Sequence, residues 1–338
     1  MADAKITALP VASISTGDIV PFAKVSTSVT SGTTYVDLAT TILTSPSIVG
    51  ADTHTSFSEY NTIPNPAAPT SGNMRFYARN IAGRVMPKWM PPSGVDQPVQ
   101  PAFFGNTITW WAANASAAGT STGPSWFTPT GNFASVNSSF TVGSLYTMVN
   151  RSKYTNVQTT SVQAVGPRMI GGTFMTSSVA GVGGFFFFAR WGIDQAHASF
   201  PSVRGFVGLG NNASVVSTSI SAAVNMAGFG WDTGDNSVLG FFHNDGAGAP
   251  TKEVITVKVS VLSGFDSYIY SKPGNGSVLY FRLDDINTGS ILADSSVVSD
   301  IPVNHVPLFA QATVSNGPYG QNSVIGIGVN KIYVETDI

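Results

Sequence analysis

No cysteine occurs in the 338 residues, so disulfides and thiolate metal sites are excluded and the fold rests on non-covalent packing. Charge is scarce too: Asp, Glu, Lys and Arg make up 10% of the chain, against about 25% in typical soluble domains. Solvent-facing positions therefore fall to Ser, Thr, Asn, Gln and Gly. Good helix formers are depleted, with three glutamates (Glu59, Glu253, Glu335) and eleven leucines, while Val, Thr, Ser, Gly and Phe abound. Helix is disfavoured along nearly the whole chain. A net charge of −2 and a pI of about 6.0 give no field that would gather nucleic acid or an anionic membrane, and neither is an expected partner. Long apolar runs are missing as well. The strongest cluster, residues 185–189, is too short to span a bilayer, and residues 1–10 lack a basic stretch followed by an apolar one, so neither membrane insertion nor Sec export is expected.

Catalytic signatures are equally sparse. P-loop, H-E-x-x-H and strict G-x-G-x-x-G patterns are absent. The G-x-S-x-G string at residues 119–123 lies in a Ser/Thr/Ala/Gly-rich loop rather than on a strand-to-helix turn. The relaxed dinucleotide fingerprint at residues 208–213 is followed by Ser, Val and Thr instead of a helix able to hold a pyrophosphate. His54, His197, His243 and His305 are too scattered for a local metal site. Asp232 with Asp235, or Asp284 with Asp285, are the places where paired carboxylates would serve a glycosidase, but adjacent aspartates in polar loops usually form turns. Residues 231–236 hint at calcium, yet lack the spacing and closing Glu of an EF-hand. The expectation is no catalytic residue, no metal and no cofactor.

What is present divides the chain into three. Residues 1–73 carry short apolar stretches broken by Ser-Gly and Thr-Gly pairs, ending in a connector with Pro64, Pro66 and Pro69. Residues 74–166 open with Arg75, Arg79, Arg84 and Lys88 in fourteen positions, then Pro91, Pro92, Pro98 and Pro101. Such proline density predicts an extended cationic segment whose backbone is satisfied by water or a neighbouring chain. Residues 97–150 contain no charged residue or histidine, yet hold Trp110, Trp111, Trp126 and five phenylalanines, a surface unusual for an exposed monomer. Residues 167–338 alternate apolar stretches with turn signals at Asp245-Gly246, Asn275-Gly276, Asn287-Thr288-Gly289 and Asn316-Gly317. That spacing predicts an antiparallel β-sandwich, jelly-roll or lectin-like. The fold class is all-β: an extended N-terminal region followed by this sandwich.

Several stretches resemble structural proteins of tailed bacteriophages. Lys5-Ile6-Thr7-Ala8-Leu9-Pro10 and Thr16-Gly17-Asp18-Ile19-Val20-Pro21 are similar to a short opening on tail-associated proteins. More specifically, Tyr77-Ala78-Arg79-Asn80-Ile81-Ala82-Gly83-Arg84-Val85-Met86-Pro87-Lys88-Trp89, running on through Gly94, Asp96 and residues 100–104 to Trp110, resembles an A-R-x-x-A-G-R-x-x-P-K-W segment of such virion proteins. Residues 204–209, 228–232, 243–246 and 333–337 are similar to the β-sandwich that follows it.

The resemblance implies a non-enzymatic virion component, made in the host cytoplasm, most simply a homotrimeric tail fibre bound to other virion proteins through residues 1–73. Residues 74–166 would oligomerise, with Arg75, Arg79, Arg84, Lys88, Trp89, Trp110 and Trp111 as candidate virion or oligomer contacts. The sandwich would face a host glycan or protein, with Trp231, Asp232, Asp235, Asn236, His243, Asn244 and Asp245 as candidate receptor contacts. Two alternatives remain open: a capsid-decorating or tail-associated protein that binds only virion proteins, and a tailspike that cleaves polysaccharide.

Overall fold

The computed structural model describes residues 60–92, 97–98, 107–113, 127–130, 133–137, 143–156, 162–195, 203–212, 215–217, 219–317 and 325–336. The stretch assigned to virion anchoring before residue 60, with its Lys5–Pro10 and Thr16–Pro21 motifs, lies outside them, as do Phe103, Phe104, Trp126 and the 119–123 string. Among the described residues the chain is all-β and its sheets are antiparallel, as composition and turn spacing predict. None of these residues belongs to a helix long and apolar enough to cross a membrane.

The cationic stretch folds into a hairpin of β1 (Arg75–Ile81) and β2 (Arg84–Met90), joined on its far side by β3 (Gln97–Pro98). Ala82 and Gly83 both take positive φ, 49° and 76°, the geometry of the two-residue turn whose twist suits a hairpin. The prediction of an unpaired extended segment is corrected here. Its backbone pairs within the hairpin, and even Pro87 sits in register opposite Ala78.

The next strands are β4 (Ile108–Ala112), β5 (Phe127–Thr130), β6 (Phe133–Asn137), β7 (Ser152–Asn156) and β8 (Ala164–Met169). They are followed by β9 (Phe185–Gln195), β10 (Arg204–Gly210), β11 (Met226–Trp231), β12 (Val238–Asn244) and β13 (Thr251–Lys258). The chain ends with β14 (Gly264–Ser271), β15 (Leu279–Asp285), β16 (Ile291–Val297), β17 (Phe309–Ser315) and β18 (Gly326–Thr336). One sheet has the order β13-β12-β11-β10-β17-β8-β5 and the other β16-β15-β14-β9-β18-β7-β6, with β4 also pairing β18. Strands β4 to β7 thus belong to the same two sheets as those after residue 167. The compact unit runs Tyr60–Ile338, and the expected boundary near residue 166 does not separate two folding units.

Alternation explains the packing. Phe185, Phe187, Ala189, Trp191 and Ile193 of β9 face inward, as do Val207 and Leu209 of β10 and Phe229 and Trp231 of β11. The sheets meet through stacked rings, Trp191 on Trp231 at 6.5 Å and Phe241 on Phe281 at 4.2 Å. The seven-stranded sheet has a second apolar layer outside: Phe206, Met226 and Phe242 lie under Val215, Val216, Ile220 and Ala223 of a short covering segment. The four predicted turn signals all fall between strands. Residues 326–329 and 332–334 lie in one strand, β18, whose register shifts between Val329 and Lys331 and leaves Asn330 as the bulge.

Candidate functional site

The site is built on the outer face of the eight-stranded sheet. Period-2 alternation sends the even partners of the core residues outward, and register aligns them into rows. One row runs Trp110, Tyr333, Phe188, Tyr268 and Arg282 across β4, β18, β9, β14 and β15. The next runs Ala112, Lys331, Arg190, Asp266 and Asp284. Five strands at about 4.8 Å spacing make the shelf about 19 Å long.

Both ends of this face are covered. On one side Gly328, Gly192 and Gly264 form a row of three glycines across β18, β9 and β14, and the Tyr146 ring lies over it. Tyr146 donates its hydroxyl to the Gly328 carbonyl at 3.2 Å, and Arg151 stacks 4.8 Å from its ring while pairing with Asp194 at 2.8 Å. On the other side the β1–β2 hairpin is seated: Arg84 pairs with Glu335 and lies over Phe186, and the Gly83 turn packs against the Tyr280 ring. Any side chain at Gly83 would meet that ring at 2.6 Å, so the turn needs glycine for space as well as for φ.

Between the two covers the strip stays accessible. Trp110 is 37% exposed, Phe188, Tyr268 and Tyr333 are half-buried, and Lys331 is exposed. At its β4 end lies a groove of about 520 Å³, lined by Trp110, Tyr333, Lys331, Asn150 and Asn330 among others. Asn150 donates to the Ala113 carbonyl and Asn330 to that of Asn150, fixing the groove floor. Arg190 grips Asp266 with two bonds of 2.7 Å, and Arg282 holds Asp284 at 2.8 and 3.0 Å. Burial raises the Asp284 carboxyl's pKa despite Arg282 beside it. Desolvation against the shelf lowers the pKa of Lys331, Arg190 adds to the effect, and Asp266 opposes it. Burial pushes Tyr268 and Tyr333 well above the ordinary phenol value, so both stay neutral hydrogen-bonding groups.

The residues expected to contact a receptor fall elsewhere. Trp231 has no exposed surface and cannot stack on a ligand; its ring fills space left by Gly205 in the core. Asp232 is buried against Arg204 at 2.7 Å and accepts from Ser219 and from the amides of Ser221 and Thr233. Asp235 accepts from the Asp232 amide and pairs with Lys252 at 2.8 Å. Asn236 occupies a positive-φ turn position. His243 is buried with Nδ1 2.9 Å from the Asp300 carbonyl, and Asn244 is buried, donating to Ala223 and Gly248. Asp245 caps the following turn by accepting from the Ala247 amide. Among the described residues no three His, Cys, Asp or Glu side chains converge to hold a metal.

The expected assembly contacts divide. All four cations share one hairpin face turned toward the protein itself: Arg75 donates to the Ala67 carbonyl, Arg79 to Asn65, Arg84 pairs with Glu335, and Lys88 is buried. Trp111 is core, beside Tyr154. Trp89 and Trp110 are exposed, Trp110 on the shelf and Trp89 in an edge-to-face series with Phe76 and Tyr60 at 4.9 and 5.2 Å.

Sequence reasoning missed Tyr333, Lys331, Phe188 and Tyr268; Arg190 stands out in the sequence only as the neighbour of Trp191, an aromatic that could stack on a sugar, and Trp191 is core. A signal existed: Asp266/Tyr268/Tyr270, Arg282/Asp284 and Lys331/Tyr333/Glu335 are the outward positions of strands that turn Phe265/Ile269, Phe281/Leu283 and Ile332/Val334 inward.

No family model matches the chain, and no curated protein matches it in sequence. Solved structures with a related arrangement include a protein of unknown function from Shewanella oneidensis MR-1, at a TM-score of 0.46 and 10% identity over 68% of this chain and 86% of that one. Peanut lectin gives 0.43 and 12% over 68% and 97%. A carbohydrate esterase from the Shiga toxin-encoding bacteriophage phi24B gives 0.40 and 13% over 69% and 100%. Likenesses at these TM-scores assign neither a family nor a ligand.

Proposed function

We propose that this chain is a binding protein rather than an enzyme, which holds a carbohydrate chain on the outer shelf of its eight-stranded sheet as part of a tailed-phage appendage, a tail fibre. The observation that carries the binding half is the strip of Trp110, Tyr333, Phe188 and Tyr268 left open between two covered ends. Flat aromatic faces flanked by fixed polar groups suit the apolar faces and hydroxyl rims of sugars. The virion half rests on the resemblance of residues 77–89 and of the later stretches. Carboxylates considered for hydrolysis support binding over cleavage, because Asp232, Asp235 and Asp284 are each held in an ion pair.

Trp110→Ala is expected to weaken binding of host-surface polysaccharide by about tenfold or more, with the circular dichroism spectrum unchanged. Undiminished binding by that variant, or none by the unaltered chain, would remove the shelf from consideration. Sustained release of reducing ends from the polysaccharide would instead favour the tailspike. Mass spectrometry of purified particles tests virion membership.

The homotrimer belongs to the same proposal, and the outward face of the hairpin supports it. Phe76, Val85 and Trp89 are exposed there together, next to Tyr60, and a second copy of the chain is the occupant a homotrimer requires. A Phe76→Ser, Trp89→Ser chain should sediment as a smaller species than the unaltered protein. Identical sedimentation of the two would argue against this face.

A further inference from the structure

The charges on the shelf do not balance locally. Arg190 is engaged by Asp266, Arg282 by Asp284 and Asp294, and Arg84 by Glu335. Lys331 stands second in the second row, between Ala112 and Arg190 and near Trp110 and Tyr333, exposed and making no ion pair among the described residues. Its ammonium lies 5.8 Å from the Phe188 ring, at the outer reach of a cation–π contact, with the Arg190 guanidinium as a like-charged neighbour in the row. An ammonium held against apolar rings, with Arg190 repelling it and Asp266 offsetting only part of the cost, is stabilised by an anion placed beside it.

We propose that the carbohydrate held on this shelf carries an anionic group, a carboxylate or a sulfate, which pairs with Lys331 while the ring bearing it stacks on Trp110. The proposal rests on the carbohydrate-binding reading above and specifies its ligand class. Geometry also sets the charge density. Asp284 lies three strands from Lys331, about 14 Å at ordinary strand spacing, and Asp294 is one strand further. A polymer charged on every residue would bring its later anions toward those carboxylates. One cation of the shelf without an ion pair among the described residues, and a net acidic cluster of Arg282, Asp284 and Asp294 further along, favour a sparsely charged chain.

The test uses the full chain against oligosaccharides bearing uronate, sialate or sulfate, each beside its carboxyl-reduced or desulfated counterpart. Binding is followed by calorimetry for the unaltered protein, Lys331→Met and Lys331→Arg. The unaltered protein should prefer an anionic member over its neutral partner by about tenfold, and the preference should fall as salt rises. Met, which keeps the apolar stem, should reduce it to about twofold or less, and Arg should restore most of it. The uronate, sialate and sulfate arms identify which anion is read. If Lys331→Met keeps the full preference, Lys331 is not the reader and the inference falls. Should charged and neutral sugars bind equally and Trp110→Ala abolish both, carbohydrate binding stands and the anionic specification falls. Binding to none of them overturns both.

Discussion

Gly192→Ala is expected to destabilise the protein by about 3 kcal/mol, read as a lower urea midpoint, because it inserts a methyl where no flexible atom can yield. The new Cβ would lie 2.2 Å from the Ser263 carbonyl oxygen and 2.5 Å from Cζ of Tyr146. The first is backbone of the neighbouring loop, and the second belongs to a ring fixed by Arg151 and by its bond to Gly328. Gly328→Ala differs in kind. Its Cβ would meet the Tyr146 hydroxyl at 2.2 Å and Asp194 Oδ2 at 2.5 Å, both ends of side chains. Tyr146→Phe should therefore recover about 1 kcal/mol in the Gly328→Ala background and almost nothing in the Gly192→Ala background. A Gly192→Ala protein with an unchanged midpoint would show that Tyr146 is not seated on the glycine row.

That row illustrates what was legible in the residues and what was not. Turn glycines such as Gly246, Gly276 and Gly317 announce themselves by an Asp or Asn neighbour, as in Asn275-Gly276, because turn chemistry is local in sequence. Gly192, Gly264 and Gly328 carry no local signal. They become one feature only when β9, β14 and β18 are laid side by side, and the tyrosine that occupies it comes from a fourth segment. The same limit governed the candidate site. Trp231 and His243 drew notice because polar loop residues follow them, yet strand alternation buries both side chains. Trp110 and Trp111 look equivalent as a pair, and only the pairing of β4 with β18 shows that Trp111 faces the core and Trp110 the shelf. The all-β class and the sandwich after residue 167 were readable because composition and turn spacing suffice for them. The inclusion of β4 to β7 in the same sheets was not, since four- and five-residue strands rich in Ser, Thr and Ala, with one lysine and one proline among them, are too short to display the alternation that marks a half-buried strand.

Arg204→Ala is expected to cost about 3–5 kcal/mol, because it leaves the Asp232 carboxylate buried without its cation. The effect should spread along a defined path. Asp232 accepts from Ser219 and Ser221, and these belong to the segment that covers Phe206, Met226 and Phe242. Amide exchange at Val215 and Ser221 should accelerate in the variant more than in the core of β9 or β14.

The acid response follows from the same contacts. Burial by itself would raise the Asp232 pKa, but the Ser219 hydroxyl, the Thr233 and Ser221 amides and the Arg204 charge outweigh it and hold the carboxyl below its ordinary value. Asp300 is shifted the same way, with burial again outweighed by bonds from Thr251 and Asp245. Folded values below the unfolded ones mean stability that is complete above about pH 4 and is lost as pH falls through the folded values. Asp284, shifted upward, works against this by taking its proton earlier. Asp232→Asn should flatten the acid-side loss and lower stability at neutral pH, while the glycan binding proposed for the shelf, measured per folded molecule, stays unchanged. A residue that read a receptor would behave in the opposite way, losing binding with its stability intact, so one pair of measurements on this variant separates a clip for the covering segment from a contact for a ligand.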